Sequence, residues 1–262
     1  MHDPPLLWRD CDRIAIVAAH PDDEVIGAGG QLPNLQQCTI IHVTDGAPRN
    51  LRDARAAGFS SAAEYAAARR QELRNALEHA DVRNVNLRPI DLIDQEASLH
   101  LVPLTRELCH IFEEQKIDVV VTHPYEGGHP DHDACAFAVA SACQLMTKNG
   151  RRAPRIVEFT SYHAREGQMC VGRFLDDASN GVVTFELDDL TRLRKCEMLA
   201  CFKSQRQIVG AFPPDVERFR LAPRYDFTQP PHAGDLHYER FGWELTPQRW
   251  RSLAAAALKE LE

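Results

Sequence analysis

Short apolar runs bounded by polar turns recur along the chain, each about the length of one strand. Residues 13–19 (RIAIVAA) stop at His20-Pro21, residues 38–44 (CTIIHVT) stop at Asp45-Gly46, and residues 117–122 stop at His123-Pro124. Weaker runs cover residues 82–87, 156–162 and 182–187. Continuous rather than alternating apolarity marks strands covered on both faces, as in a parallel sheet. Between these runs apolar positions recur at helical spacing. Residues 62–80 carry Leu73, Ala76, Leu77 and Ala80, with Ser60 or Ser61 placed to cap them, and residues 101–115 carry a stripe through Leu104, Leu108 and Ile111. Further helices are expected over 133–146, around 188–202 and from Thr246 onward. Alternating strands and helices predict an α/β fold with a mostly parallel sheet flanked by helices. Residues 211–242, broken by Pro213-Pro214, Pro223 and Pro230-Pro231, read as an irregular, partly ordered excursion from a single domain spanning 1–262.

Charge narrows the partners. Thirty Lys and Arg against 38 Asp and Glu give a formal net charge of -8, with no basic block dense enough to neutralise a phosphate backbone, so nucleic acid is not an expected partner. No stretch is long and apolar enough to span a bilayer, and the first twenty residues lack the pattern of a secretory signal. A cytoplasmic protein is expected. The eight cysteines form no CxxC pair and sit mostly in apolar segments, where reduced packing thiols belong.

In parallel sheets ligands bind where loops leave the C-terminal strand ends, and chemistry-bearing residues gather at those points here. The first run leads into His20-Pro21-Asp22-Asp23-Glu24, and the 117–122 run leads into a segment ending His129-Pro130-Asp131-His132-Asp133. A histidine and a carboxylate three positions apart can converge on one divalent ion while a second carboxylate stays free to handle a proton. Each segment alone is also what a helix cap and a proline-fixed turn look like. Two histidine-acid clusters after two central strands exceed what capping requires. A dinucleotide site is disfavoured, because acids stand where the pyrophosphate would approach.

These two segments resemble the signatures of the PIG-L, or LmbE-like, zinc-dependent de-N-acetylases: AHPDDE at residues 19–24 and HPDH at residues 129–132. Weaker similarity extends over most of the chain. The resemblance implies a Rossmann-like fold and an enzyme that removes an N-acetyl group from an aminosugar-containing small molecule or glycoconjugate, N-acetylglucosamine being typical. It implies Zn2+, or another divalent metal, held by His20, Asp23 and His132. Asp22 matches the general base, and His129 matches the histidine that assists the oxyanion or the leaving amine. Thr44-Asp45-Gly46 resembles a polar turn at the family's cleft, and Arg69 with Glu72 resembles an RxxE pattern whose arginine reaches the substrate. His237 and Tyr238 resemble a segment at the rim, so Asp45, Arg69, His237 and Tyr238 are expected substrate contacts. Turn formation for Asp45, a solvent-facing helix for Arg69 and packing for Tyr238 stand as alternatives. Tyr125 or Tyr162 can supply an oxyanion donor. Asp131 and Asp133 can orient an imidazole or cap a helix.

The chain departs from the family at two places. Phe202 stands where relatives often carry a histidine, so no catalytic role is transferred to that helix, although Ser204 and Gln205 match. Pro33 should shorten or kink a helix that relatives continue. Hydrolysis of a non-sugar amide or an ester, and a metal-stabilised binding protein without turnover, are the competing readings.

Overall fold

The computed structural model describes residues 7–35, 37–82, 85–176 and 181–262. Five strands pair in parallel: β1 (Ile14–Ala18), β2 (Cys38–His42), β3 (Val85–Leu87), β4 (Val119–Thr122) and β5 (Arg155–Phe159). After an antiparallel hairpin of β6 (Tyr162–Arg165) and β7 (Gln168–Val171) come β8 (Val183–Glu186) and β9 (Val216–Leu221). The main sheet runs β3-β2-β1-β4-β5-β9-β8, with the β5–β9 and β9–β8 pairs antiparallel. The expected strands are thus present, trimmed at their ends; residues 83 and 84 of the 82–87 run lie outside the described residues.

The helices are α1 (Asp23–Ala28), α2 (Arg52–Ala56), α3 (Ala62–His79), α4 (Leu101–Glu114), α5 (Pro130–Lys148), α6 (Asp189–Cys201), α7 (Arg206–Val209) and α8 (Pro247–Leu261). Side chains of β1 alternate between two cores, as the two-residue period demands. Ala15 and Val17 join Leu104, Leu108, Phe137 and Trp250 under α4, α5 and α8. Ile14 and Ile16 join Leu73, Leu77, Met198 and Phe202 under α3 and α6. Both faces of the central strands are therefore dry, which is why their sequences are apolar without a break. Ser61 caps α3 by accepting the Glu64 amide at 3.2 Å, and Thr246 caps α8 by accepting the Arg249 amide at 3.2 Å. Among the described residues no helix is long and apolar enough to cross a membrane.

Three boundaries differ from expectation. α5 begins at Pro130 rather than Asp133, because a proline in the first turn forfeits no hydrogen bond and is already bent for the helix. Tyr162 ends no long strand but opens the β6–β7 hairpin, whose two-residue turn holds Glu166 at φ 50° and Gly167 at φ 78°. The 211–242 excursion is not irregular throughout: Val216–Leu221 forms β9, inserted between β5 and β8. α1 closes at Ala28, and Pro33 stands in the first turn of a single 3-10 turn over Leu32–Asn34.

The strand order reverses between β1 and β4, and the crevice opens there. Val17 of β1 lies beside Thr122 of β4 in register, so the chains leaving these strands, toward His20 and toward His123, emerge side by side.

Candidate metal centre

The turn after β1 holds Asp22 at φ 145° and ψ -28°, a backbone conformation rare for any residue with a side chain. Its carbonyl accepts the amides of Val25 and Ile26 at 3.0 and 2.9 Å, anchoring α1. Its carboxylate meets Arg69 of α3: Nη2 donates to Oδ2 at 2.9 Å. The same guanidinium donates to the carbonyls of Pro21 at 3.1 Å and Gly46 at 2.8 Å. Gly46 sits at φ 66°, and a Cβ there would fall 2.3 Å from Arg69 Nη1, so glycine is required both for the turn and for the guanidinium's approach. Burial pushes the Asp22 carboxyl up to about 7, with the Arg69 charge opposing and Asp23 reinforcing the rise.

Asp23 opens α1 and gathers the imidazoles. Its Oδ2 accepts the His20 amide at 2.8 Å and lies 3.2 Å from His20 Nδ1, while its Oδ1 lies 3.4 Å from His132 Nε2. Burial disfavours this carboxylate, yet His132 and His123 outweigh it and hold its pKa well below the usual range. His132 projects from the first turn of α5, and its Nδ1 lies 3.3 Å from Ser161 Oγ. A proton on Nδ1, donated to that hydroxyl, leaves the Nε2 lone pair facing Asp23. Burial lowers the His132 pKa to about 4 against the opposing pull of Asp23, the direction a metal ligand needs. His123 stacks on His132 with centroids 3.8 Å apart, but its Nε2 accepts the Ala19 amide at 3.1 Å and is already engaged.

The other nitrogen of His20, Nε2, lies 3.2 Å from Asp94 Oδ1 and 3.4 Å from Asp131 Oδ2. Burial disfavours the imidazolium, but Asp94, Asp131 and Asp23 together hold its pKa well above the ordinary value. Asp131 also accepts the amides of Gln95 at 2.6 Å and Ala97 at 3.1 Å, tying the loop that carries Asp94 to α5. Asp133 fixes the loop before α5 by accepting the amides of Glu126 at 3.2 Å and Gly127 at 3.0 Å. His129 caps α5: its Nδ1 accepts the Asp131 amide at 3.2 Å, which places the ring proton on Nε2, 3.8 Å from Asp94 Oδ1.

Donor atoms of His20, His129 and His132 lie within 4.8 Å of one another, as do those of Asp23, His123 and His132 and those of His20, Asp94, His129 and Asp131. Imidazole nitrogen and carboxylate oxygen at this spacing suit a divalent metal ion. Asp94, His123 and Ser161 belong to this cluster and were not singled out from sequence as metal-site or catalytic residues. Leu92, two positions before Asp94, bridges to Thr44 beyond the end of β2, so Asp94 also follows extended chain at the sheet's C-terminal edge.

The cluster floors a cleft of about 1390 Å³ lined by Asp22, Asp23, Arg69, His129, His132 and Tyr162, among others. Arg69, an expected substrate contact, lines the cavity with three of its hydrogen bonds made within the protein. Asp45, His237 and Tyr238, expected to contact substrate, do not line the cleft. Asp45 Oδ1 accepts the Ala47 amide at 2.9 Å in a local turn, and Tyr238 is only 1% exposed. Of the two candidate tyrosines Tyr162 lines the cleft, with its ring centroid 5.3 Å from that of His132, whereas Tyr125 donates to the Gln229 carbonyl away from it. Phe202 is buried in the core beneath α6. Ser204 and Gln205 line the wall, Ser204 held by Glu72 through its amide at 2.9 Å and its hydroxyl at 2.6 Å.

Residues 15–143, which include both histidine-acid segments and Arg69, match the family described as PIG-L: GlcNAc-PI de-N-acetylase. Over these residues the chain is similar to this family. A curated relative, the probable N-acetyl-alpha-D-glucosaminyl L-malate deacetylase 2 of Bacillus subtilis (strain 168), is 31% identical over 159 residues, covering 56% of this chain and 66% of that protein, just under two thirds of its length. Among solved structures, the zinc-inhibited form of teicoplanin deacetylase Orf2 superposes with a TM-score of 0.59 at 17% identity, covering 82% of this chain and 99% of that one. GalB, the 4-carboxy-2-hydroxymuconate hydratase of Pseudomonas putida KT2440, superposes at 0.53 with 17% identity, covering 82% and 98%. Proteins of this fold thus include both a deacetylase and a hydratase, and function has to be argued from the site.

Proposed function

We propose that the protein is a metal-dependent hydrolase that removes the N-acetyl group from an N-acetylated aminosugar, with His20, Asp23 and His132 holding the metal, zinc by preference. The observation that carries this reading is Asp23, whose two oxygens lie 3.2 and 3.4 Å from imidazoles delivered by different strand ends. Asp22 stands beside it with a carboxylate directed to Arg69 instead. When bound, the metal supplies Lewis acidity, lowering the pKa of a water and polarising the amide carbonyl. Asp22 takes the proton from the attacking water as general base, its orientation fixed by Arg69 and by the backbone of the α1 turn. His129, with its proton on Nε2, donates to the carbonyl oxygen as negative charge develops there. Collapse breaks the C–N bond, the proton held by Asp22 passes to the leaving nitrogen, and acetate and a free amine result. Asp94 and Asp131 hold the His20 ring through Nε2, which leaves Nδ1 as the atom that would meet the metal on giving up its proton.

A reducing, cytoplasmic setting belongs to this reading, since all eight cysteines are free thiols and Cys38, Cys135 and Cys143 are buried as packing groups. The test is to purify the protein without added metal, quantify bound metal, and assay acetate and new amine from N-acetylglucosamine derivatives before and after chelation. Metal at one equivalent with chelator-sensitive acetate release is expected. Acetate release that persists in metal-free protein, or none from any N-acetylated sugar, overturns it.

A further inference from the structure

The mouth of the cleft differs in character from its floor. Seven large apolar side chains are prominently exposed among the described residues, and three of them, Leu99 (46%), Ile208 (52%) and Phe241 (44%), line this one cleft. Trp243 joins them. It stacks on Phe241 with centroids 4.9 Å apart and planes at 22°, and sets its ring edge-on to His129 at 4.9 Å. Gly242 between them turns through a left-handed φ of 64°, which brings the two rings together. Exposed apolar groups that line one cleft are a cost in water, relieved when a ligand covers them. The charged groups there are of mixed sign: Arg49 is paired with Glu96, and Asp53, Glu72 and Glu244 line the same wall as Arg52, Lys203, Arg206 and Arg249.

The volume of about 1390 Å³ exceeds the roughly 300–1,000 Å³ usual for small-molecule sites, so a single N-acetylated sugar on the floor leaves the outer part unfilled. The aromatic wall is continuous with the floor through the contact between Trp243 and His129. We propose that this collar seats a flat apolar aglycone joined to the N-acetylated sugar, stacked on Phe241 and Trp243 and covered by Leu99 and Ile208. This inference rests on the deacetylase reading. The natural substrate is then a glycoconjugate with an aromatic or otherwise planar apolar part rather than a free sugar or one carrying only a small anion.

The experiment compares the para-nitrophenyl and methyl glycosides of N-acetylglucosamine with N-acetylglucosamine 1-phosphate, using the full-length metal-loaded protein. An aromatic ring burying roughly 60 Å² of apolar surface should raise kcat/KM for the para-nitrophenyl glycoside about tenfold over the methyl glycoside. Ile208→Ser and Phe241→Ser should bring that ratio close to one, whereas Leu190→Ser, exposed but outside the cleft, should leave it intact. Independently of turnover, the para-nitrophenyl glycoside should quench tryptophan fluorescence, and Trp243→Phe should abolish the effect. Equal kcat/KM for the two glycosides, or the highest value for the 1-phosphate, overturns the aglycone assignment while leaving deacetylation standing. A dimer in sedimentation that dissociates on Ile208→Ser overturns it in favour of a second copy of the chain. Absence of acetate from every sugar overturns the deacetylase reading instead, and quenching through Trp243 then decides the collar on its own.

Discussion

Arg69 Nη2 and Asp22 Oδ2 lie 2.9 Å apart with both side chains only 5% exposed, so the carboxylate proposed as general base is paired with a cation that water barely reaches. The pair does two jobs. It offsets the burial that drives the Asp22 carboxyl up, and it fixes a residue whose backbone is strained at φ 145°. Arg69→Met leaves a buried carboxylate without its partner. The expected result is a stability loss of about 3–5 kcal/mol and a fall in kcat/KM of roughly 100-fold or more, with bound metal retained. Thermal unfolding, metal analysis and acetate release on one preparation check all three, and an unchanged rate refutes the positioning role.

The metal assignment separates neighbours in sequence. Asp23→Ala and His132→Ala should lose bound metal, while Asp22→Asn should keep it and lose most turnover, since only the base is removed. Full occupancy in both ligand variants would show that the ion sits elsewhere in the cluster.

A second buried charge group, away from the cleft floor, predicts how stability depends on pH. Arg220 donates through Nε to Glu158 at 2.7 Å and through Nη2 toward Glu126 at 3.4 Å, so two carboxylates share one guanidinium. Burial, opposed by Arg220, pushes Glu158 up to about 7. Burial, opposed by the Leu175 amide and then Arg220, pushes Glu126 up to about 8. Both folded pKa values lie above the unfolded ones, so the native state binds more protons between them. The stabilisation is present in full below the unfolded carboxylate pKa and is lost as pH rises through about 7 to 8. Each group contributes a slope of up to about 1.4 kcal/mol per pH unit inside its window. Urea unfolding at pH 6, 7.5 and 9 should show falling stability, and Glu126→Gln should flatten the fall. A parallel pH profile in that variant excludes Glu126 as its source.

The legible part of this protein is the part where chemistry follows regular structure directly. His20 and Asp23 come immediately after a five-residue buried strand, and His129 and His132 flank a proline that starts a helix, so pattern and motif mark the same places. Asp94 escaped because the chain beyond β3 runs on as extended backbone with a single bridge to Thr44, giving no strand pattern to point along. β9 escaped for an electrostatic reason. Its six residues include three charged ones, Glu217, Arg218 and Arg220, yet Glu217 and Arg220 are each buried against a partner distant in sequence: Lys195 at 2.7 Å and Glu158 at 2.7 Å. Hydropathy cannot distinguish a charge in water from a charge paired inside. The same limit applies to Arg69, whose RxxE spacing suggested the cleft but not that three of its hydrogen bonds would turn back onto the protein.

His129 provides a test that separates folding from turnover, because its two ring nitrogens serve different ends. Nδ1 accepts the Asp131 amide at 3.2 Å and caps α5, while Nε2, carrying the proton, faces Asp94 and the cleft. Asparagine can place a side-chain oxygen where Nδ1 stands but cannot reach the position of Nε2. His129→Asn should therefore keep the thermal midpoint and the bound metal and lower kcat by roughly 100- to 1,000-fold, the usual cost of removing one oxyanion donor. His129→Ala should show the same kinetic loss plus about 1 kcal/mol of instability from the missing cap. If His129→Asn turns over N-acetylglucosaminides at the native rate, Nε2 makes no contact with the developing charge, and Tyr162, the tyrosine on the cleft wall, becomes the donor to test in its place.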